Sequence, residues 1–267
     1  YKFTKKTDMM FKFYKYQGAG NDFIIIDNRE KSINLNNMQI KQLCDRHFGI
    51  GADGLMILNN HHTLDFNMQY FNSDGNESTM CGNGGRCMVA FAKKLGIIEN
   101  QTTFHAVDGD HKAIIKTDGS ISLKMLDVLM VSKANEGYFL NTGSPHFVCF
   151  KDNIEEINVY NRGKEIRYSQ EFMPEGANVN FVQILEDEIF VRTYERGVEN
   201  ETLSCGTGVT ASAICTSIHT NSDKNSYQVK TLGGKLKVEF TKEKSKKYTN
   251  IWLSGPATFV FEGEISI

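Results

Sequence analysis

Proline is scarce in this chain, with three in 267 residues against 23 glycines, a balance that predicts many tight turns and few rigid breaks. No apolar run approaches the roughly 20 residues a membrane-spanning helix needs, so no membrane span is expected. Basic excess is missing too. Thirty Lys and Arg stand against 32 Asp and Glu, with no block of either sign, which argues against nucleic acid or a polybasic membrane contact. There is no Cys-x-x-Cys, and the seven histidines form no zinc-like pairing with the six cysteines, so no metal is expected. A secretory pattern is absent from the N-terminus. In a chain this long the cysteines therefore read as reduced thiols and the compartment as cytoplasmic. The polar segment Tyr1 to Thr7, ahead of Met9-Met10, reads as an addition and is left out of the fold argument.

Two cysteines organise what is present. Cys81 and Cys205 lie 124 positions apart, and the same offset relates Phe23 to Phe147, Tyr70 to Tyr194, Gly84 to Gly208 and Gly109 to Gly233. Asn76-Glu77 and Asn200-Glu201 keep it as well. One spacing near half the chain length predicts a tandem duplication rather than a solenoid, whose periods are much shorter. In the first unit, strands are expected over 11–16, 23–27, 55–58, 66–72, 113–116 and 121–125. A helix capped by Asn36 or Asn37, in which Met38, Leu43, Cys44 and His47 recur at helical spacing, is expected to stop at Gly49. In the second unit, strands are expected over 147–150, 180–185, 189–195, 228–230, 235–240 and 251–253, with a polar helix near 155–168. The strand-like segment 258–265 has no counterpart ahead of the second unit and is expected to cross back onto the first.

The apolar segments after the two cysteines are unusual. No charged residue occurs between Cys205 and Ile218, nor between Cys87 and Ala92, and a helix without a polar face is buried. The expected fold is therefore α/β of the α+β type. Two pseudo-symmetric domains would span 1–132 and 133–255, with 256–267 pairing back onto the first. Each would wrap a curved, mostly antiparallel sheet around a central buried helix, leaving the active site in the cleft between them.

Cys81-Gly82-Asn83-Gly84 and Cys205-Gly206-Thr207-Gly208 each set a thiol before the N–H groups of a helix start, where the dipole favours anions. Such a setting suits a substrate carboxylate and also a thiolate. A dipole contribution of up to about 2 kcal/mol would draw a thiol from about 8.5 towards about 7. Two such sites facing one stereocentre define a two-base inversion, in which one thiolate removes a proton from a carbon and the opposite thiol returns one to the other face. The pair would titrate as a unit. A single cysteine before a buried helix is more often small core filling, and a redox disulfide is the other alternative. The duplicated Cys-Gly-x-Gly favours chemistry. Cys44, Cys87, Cys149 and Cys215 lack the setting and read as structural.

At these residues the chain resembles the diaminopimelate epimerase family. The likeness is carried by Gly18-Ala-Gly-Asn-Asp-Phe23, Phe71-Asn-Ser-Asp-Gly75, Cys81-Gly-Asn-Gly-Gly-Arg-Cys87, Gly143-Ser-Pro-His146, Tyr194-Glu-Arg-Gly197 and Cys205-Gly-Thr-Gly208. It implies a cofactor-independent isomerase that interconverts LL- and meso-2,6-diaminopimelate for lysine and peptidoglycan precursors, acting as a homodimer on a small molecule. By the resemblance, Cys81 and Cys205 are the acid and base, and His146 and Glu195 tune the thiols. The backbone of Gly82-Asn83 and Gly206-Thr207 holds the carboxylate at the reacting carbon. Asn21, Asn72, Asn178, Glu195 and Arg196 bind substrate; Arg196 suits a carboxylate and Glu195 an ammonium.

The chain departs from the family pattern at Gly54, where many members place Gln, and at Ser144, where many have Asn. A cofactor-free proline or hydroxyproline racemase is the main alternative, but Asn72, Asn178 and Arg196 form a polar subsite that proline has little use for. A thiol redox or ligand-binding protein is a further class. A pyridoxal-phosphate racemase is disfavoured, because nothing marks a Schiff-base lysine beside a phosphate cradle.

Overall fold

The structure, a computed structural model, describes residues 10–244 and 247–267, so the segment set aside above lies outside the described residues. The described chain forms two compact units. Unit 1 comprises 10–17, 22–112 and 257–267, and unit 2 comprises 18–21 and 113–256.

Unit 1 opens with strands β1 (Met10–Gly18) and β2 (Asn21–Asp27), helix α1 (Asn37–Cys44), and strands β3 (Gly54–Asn59), β4 (Asn67–Asn72) and β5 (Glu77–Ser78). Helix α2 (Gly82–Lys94), β6 (Gln101–Ala106) and most of β7 (Gly109–Ile115) follow. Asn36 caps α1 with a reciprocal capping box to Gln39. The helix ends at Cys44, short of the expected Gly49. Asp45 accepts from the backbone of His47 and Phe48 and turns the chain there. Ile40, Leu43 and Cys44 face the core, whereas Met38 is 82% exposed. Phe66, Met68 and Tyr70 do share a buried face, as their alternation predicts.

Unit 2 carries β8 (Ile121–Lys124), β9 (Val131–Ala134), β10 (Gly137–Asn141), β11 (Pro145–Phe150), α3 (Val159–Arg167), β12 (Asn178–Ile184), β13 (Glu188–Glu195) and β14 (Asn200–Thr202). Helix α4 (Gly206–His219), β15 (Ser226–Thr231), β16 (Gly234–Lys242) and β17 (Tyr248–Gly255) complete it. The last strand, β18 (Thr258–Ser266), belongs to unit 1 and pairs antiparallel with β1, from Met10 opposite Ser266 to Gln17 opposite Thr258. Segment 113–132 falls with unit 2 because β8 pairs antiparallel with β17.

The duplication is visible in the ladders. Most pairs are antiparallel, but β2–β3 and β4–β6 in unit 1 are parallel, and so are their counterparts β11–β12 and β13–β15 in unit 2. A helix crosses over between the members of each parallel pair, as parallel neighbours require. In unit 2 the order β9-β10-β11-β12-β13-β15-β16-β17-β8 curls around α4, which touches β10 to β13 and β15 to β17. That enclosure explains the uncharged sequence of α4, since Gly208 through Ser217 is buried without a break. Helix α2 is likewise buried from Gly82 to Val89, with Lys93 and Lys94 at its exposed end. Phe91 packs against the rings of Tyr14 and Tyr16 of β1. The short strands β5, β9, β10 and β14, and β6 as a whole, are not apparent from sequence alternation. In β6 one of the three inward positions is Thr102, which dilutes the apolar signal.

Candidate active site

Each central helix begins at its cysteine. Cys81 is the N-cap of α2 and Cys205 the N-cap of α4, both with extended backbone (φ −84°, ψ 132° and φ −116°, ψ 111°). Neither sulfur caps the first turn, and neither first turn contains an acidic residue. The positive end of each helix therefore lies against a thiol rather than a carboxylate. Cys81 is half-buried and Cys205 is 7% exposed. The other four cysteines sit in the core. Burial pushes the thiols of Cys44, Cys87 and Cys149 up to about 12 and raises Cys215 as well, so they are poor nucleophiles.

Unit 1 contributes Asn72, Gly82 and Asn83 beside Cys81. Asn72 stands exposed at the end of β4. Asn83 is buried, and its side-chain oxygen accepts from Arg86 Nη2 at 2.8 Å, while Arg86 Nη1 donates to the Gly82 carbonyl at 3.2 Å. Arg86 is completely buried, and its pKa is lowered by that burial. A guanidinium thus braces the first turn of α2. Arg86 lies within the Cys81–Cys87 motif, and an arginine five residues into an otherwise buried helix is the signal that marks it.

Unit 2 holds Asn21, His146, Asn178, Glu195, Arg196, Gly206 and Thr207 with Cys205. Asn178 is 3% exposed. Its amide nitrogen donates to Ser144 Oγ and to the Pro145 carbonyl, both at 2.9 Å, and its oxygen accepts from Arg196 N at 2.8 Å. It therefore fixes the Arg196 backbone and the Ser144 hydroxyl. Arg196 also donates to the Glu175 carbonyl at 3.3 Å and approaches Ser144 Oγ at 3.5 Å. Glu195 Oε2 accepts from Thr202 Oγ1 at 2.9 Å.

His146 is wholly buried at the start of β11. Its Nε2 lies 2.9 Å from Thr207 Oγ1, and that hydroxyl lies 3.4 Å from Cys205 Sγ. Burial and the positive charge of Arg196 hold His146 down at about 3, so the ring is neutral at physiological pH. Its Nδ1 faces Asn180 Nδ2 at 3.1 Å. Asn180 has no place in the motif reading, although an asparagine inside the buried strand Asn178-Val-Asn-Phe-Val was a legible irregularity. The asparagine also explains a glycine. A Cβ on Gly208 would sit 2.3 Å from Asn180 Oδ1, so the second glycine of Cys-Gly-x-Gly makes room for a neighbouring side chain. At the matching place in unit 1, a Cβ on Gly84 would meet the sulfur of Met56 at 3.1 Å. Among the described residues no group of three His, Cys, Asp or Glu is placed to hold a metal ion.

Comparison with solved structures defines the fold first. A phenazine biosynthesis protein of the PhzF family from Bacillus anthracis superposes with a TM-score of 0.74 over 97% of this chain and 100% of its own, at 15% identity. A hydroxyproline epimerase from Agrobacterium vitis gives 0.66 over 97% and 93%, at 13% identity. The fold is theirs. Sequence goes further: the diaminopimelate epimerase family model matches residues 13–131 and 138–260. The diaminopimelate epimerase of Flavobacterium psychrophilum is 55% identical over 256 residues, covering 95% of this chain and 100% of that protein. That of Aquifex aeolicus is 40% identical over 278 residues, covering 96% and 98%. The chain belongs to the diaminopimelate epimerase family and is an isomerase.

Proposed function

We propose that the protein interconverts LL- and meso-2,6-diaminopimelate, with Cys81 and Cys205 as the acid–base pair and no organic cofactor. The observation that carries this reading is the placement of one cysteine at the N-cap of the buried central helix in each duplicated unit. One thiolate takes the α-proton as its C–H bond breaks. The electron pair passes to the substrate carboxylate, which backbone N–H groups at Gly82-Asn83 and Gly206-Thr207 stabilise. The other thiol delivers its proton to the opposite face, and the roles reverse in the opposite direction. Asn21, Asn72, Asn178, Glu195 and Arg196 engage the remaining charged groups, and His146 and Glu195 tune the thiols.

The same reading keeps two homologous domains, 1–132 and 133–255, supported by the two segments of the family match. It also carries a cytoplasmic homodimer. Among the described residues no helix is long and apolar enough to cross a membrane. Phe259, Val260 and Phe261 on β18 stand 40%, 50% and 44% exposed, apolar side chains that contact with a second copy would cover.

The test is isotope exchange. LL-diaminopimelate incubated with the protein in deuterated water should gain deuterium at an α-carbon as the meso isomer forms, without added cofactor. Retained protium, beside an active reference enzyme, would sink the reading. Faster inversion of proline than of diaminopimelate would transfer it to the proline-racemase type.

A further inference from the structure

Three side chains from separate segments converge on Cys205, and the direction of each hydrogen bond between them follows from its neighbours. Asn180 comes first. Thr193 Oγ1 donates to its Oδ1 at 2.9 Å, and its Nδ2 donates to the Phe147 carbonyl at 3.0 Å. A carbonyl can only accept, so the amide orientation is set, and Nδ2 is the atom that faces His146 Nδ1 at 3.1 Å. His146 Nδ1 must then be the acceptor. The ring carries its proton on Nε2 and donates it to Thr207 Oγ1 at 2.9 Å. With that lone pair occupied, the Thr207 hydroxyl proton is available to the sulfur of Cys205, 3.4 Å away.

From this geometry we infer that Asn180, His146 and Thr207 form a one-way hydrogen-bond relay that ends on Cys205 and stabilises its thiolate, with Asn180 and Thr207 as positioning residues. His146 in this arrangement is a fixed donor, not a base that shuttles protons. The structure supports the assignment in two further ways. Thr207 is anchored from behind, because Thr142 Oγ1 donates to its carbonyl at 2.9 Å. Gly208 leaves the space that Asn180 occupies. The relay also distinguishes the two halves. The 124-residue offset places Asp22, Met56 and Asn83 where unit 2 has His146, Asn180 and Thr207, so those positions of unit 1 do not repeat the same three groups. Asn83 is instead bonded to Arg86. The catalytic meaning of the relay rests on Cys205 acting as acid and base, but its existence can be tested without turnover.

Two measurements test it on the intact protein. In histidine-15N-labelled protein at pH 7, the long-range 15N–1H spectrum should show His146 as the neutral Nε2–H tautomer. An Nδ1–H tautomer or an imidazolium overturns the relay. Separately, the rate of Cys205 alkylation by iodoacetamide, read by peptide mass spectrometry, should fall about tenfold in Thr207→Val, as expected for losing one hydrogen bond to a charged sulfur. Thr207→Ser should restore most of the rate, and alkylation of Cys81 should be unaffected by either change. Equal Cys205 rates in the wild type and a folded Thr207→Val protein overturn the proposal. Should Thr207→Val not fold, Asn180→Asp provides the second variant. A carboxylate facing Nδ1 draws the proton to that nitrogen, so the spectrum should lose its Nε2–H form and Cys205 should react more slowly. An unchanged tautomer in Asn180→Asp also overturns it. Failure of isotope exchange alongside success here would reject the epimerase reading and leave the relay standing.

Discussion

His146 Nε2 and Thr207 Oγ1 stand 2.9 Å apart across 61 residues of sequence, joining the start of β11 to the first turn of α4. This bond brings a buried imidazole to the cysteine-headed helix of its own unit.

His146 should not titrate between pH 5 and 8. Burial and the charge of Arg196 hold its folded value at about 3, against about 6.5 in an unfolded chain. Between those values the unfolded chain takes up a proton that the folded chain refuses. Stability should therefore decline as pH falls from about 6.5 towards about 3, with no contribution from this group above that window. Proton NMR of the ring checks the first point: a His146 signal with a midpoint near 6.5 would contradict it.

Gly208→Ala should destabilise the protein by about 1–3 kcal/mol, because its Cβ would lie 2.3 Å from Asn180 Oδ1 in a closed environment. Gly84→Ala should be much milder. Its Cβ meets the flexible end of Met56 at 3.1 Å, and alanine in a helix regains up to about 1 kcal/mol over glycine. Urea melts of the two variants give the comparison. Equal losses would mean that Asn180 is not what the glycine accommodates.

Asp22 should carry acid-sensitive stability in unit 1. Burial alone would raise its pKa, but hydrogen bonds from Arg46 and Lys15 outweigh burial and hold the carboxyl at about 2. Lys15 Nζ lies 2.7 Å from it and is itself bonded to the Gly51 carbonyl. A depressed carboxyl stabilises the fold above its unfolded value of about 3.9, and this is lost as pH falls towards about 2. The contribution is on the order of 2 kcal/mol. Asp22→Asn should lower stability at pH 7 and flatten its decline between about pH 4 and 2, which melts across that range would record.

Cys81→Ala and Cys205→Ala should each reduce turnover by at least about 1000-fold while circular dichroism and melting stay close to wild type. Cys215→Ser should behave in the opposite way, since Cys215 is fully buried in α4 and a hydroxyl there needs a partner. Its cost is expected in stability rather than chemistry. A thiol variant at position 81 or 205 that keeps most of its rate would refute the two-base scheme.

Much of the fold was legible because local physics and the repeat agreed. The 124-residue offset recovers strand pairs and central helices that correspond between the halves, and the absence of charge after Cys205 marks a helix that the sheet then encloses. Where signals were short they misled. Helix α1 is two turns long, too short for spacing to separate Met38, which faces solvent, from the buried Leu43 and Cys44, and its stop is set at Asp45 rather than Gly49. Segment 113–132 reads as the tail of the first repeat, yet β8 hydrogen bonds to β17 of unit 2. Strand partnership is a long-range choice that no local window contains.

By itself the sequence determined that the chain is duplicated, that one cysteine heads a buried helix in each half, and which family's motifs surround them. Tertiary structure alone decided how the two halves differ. The repeat aligns Asn180 with Met56 and His146 with Asp22 as though they were equivalent. In the folded protein, Asn180 and His146 join a hydrogen-bond chain to a sulfur, while Asp22 is locked between Lys15 and Arg46. The reason is physical: the roles of an asparagine, a neutral imidazole and a hydroxyl are set by which atom faces which, and their facing atoms come from segments 34 and 61 residues apart.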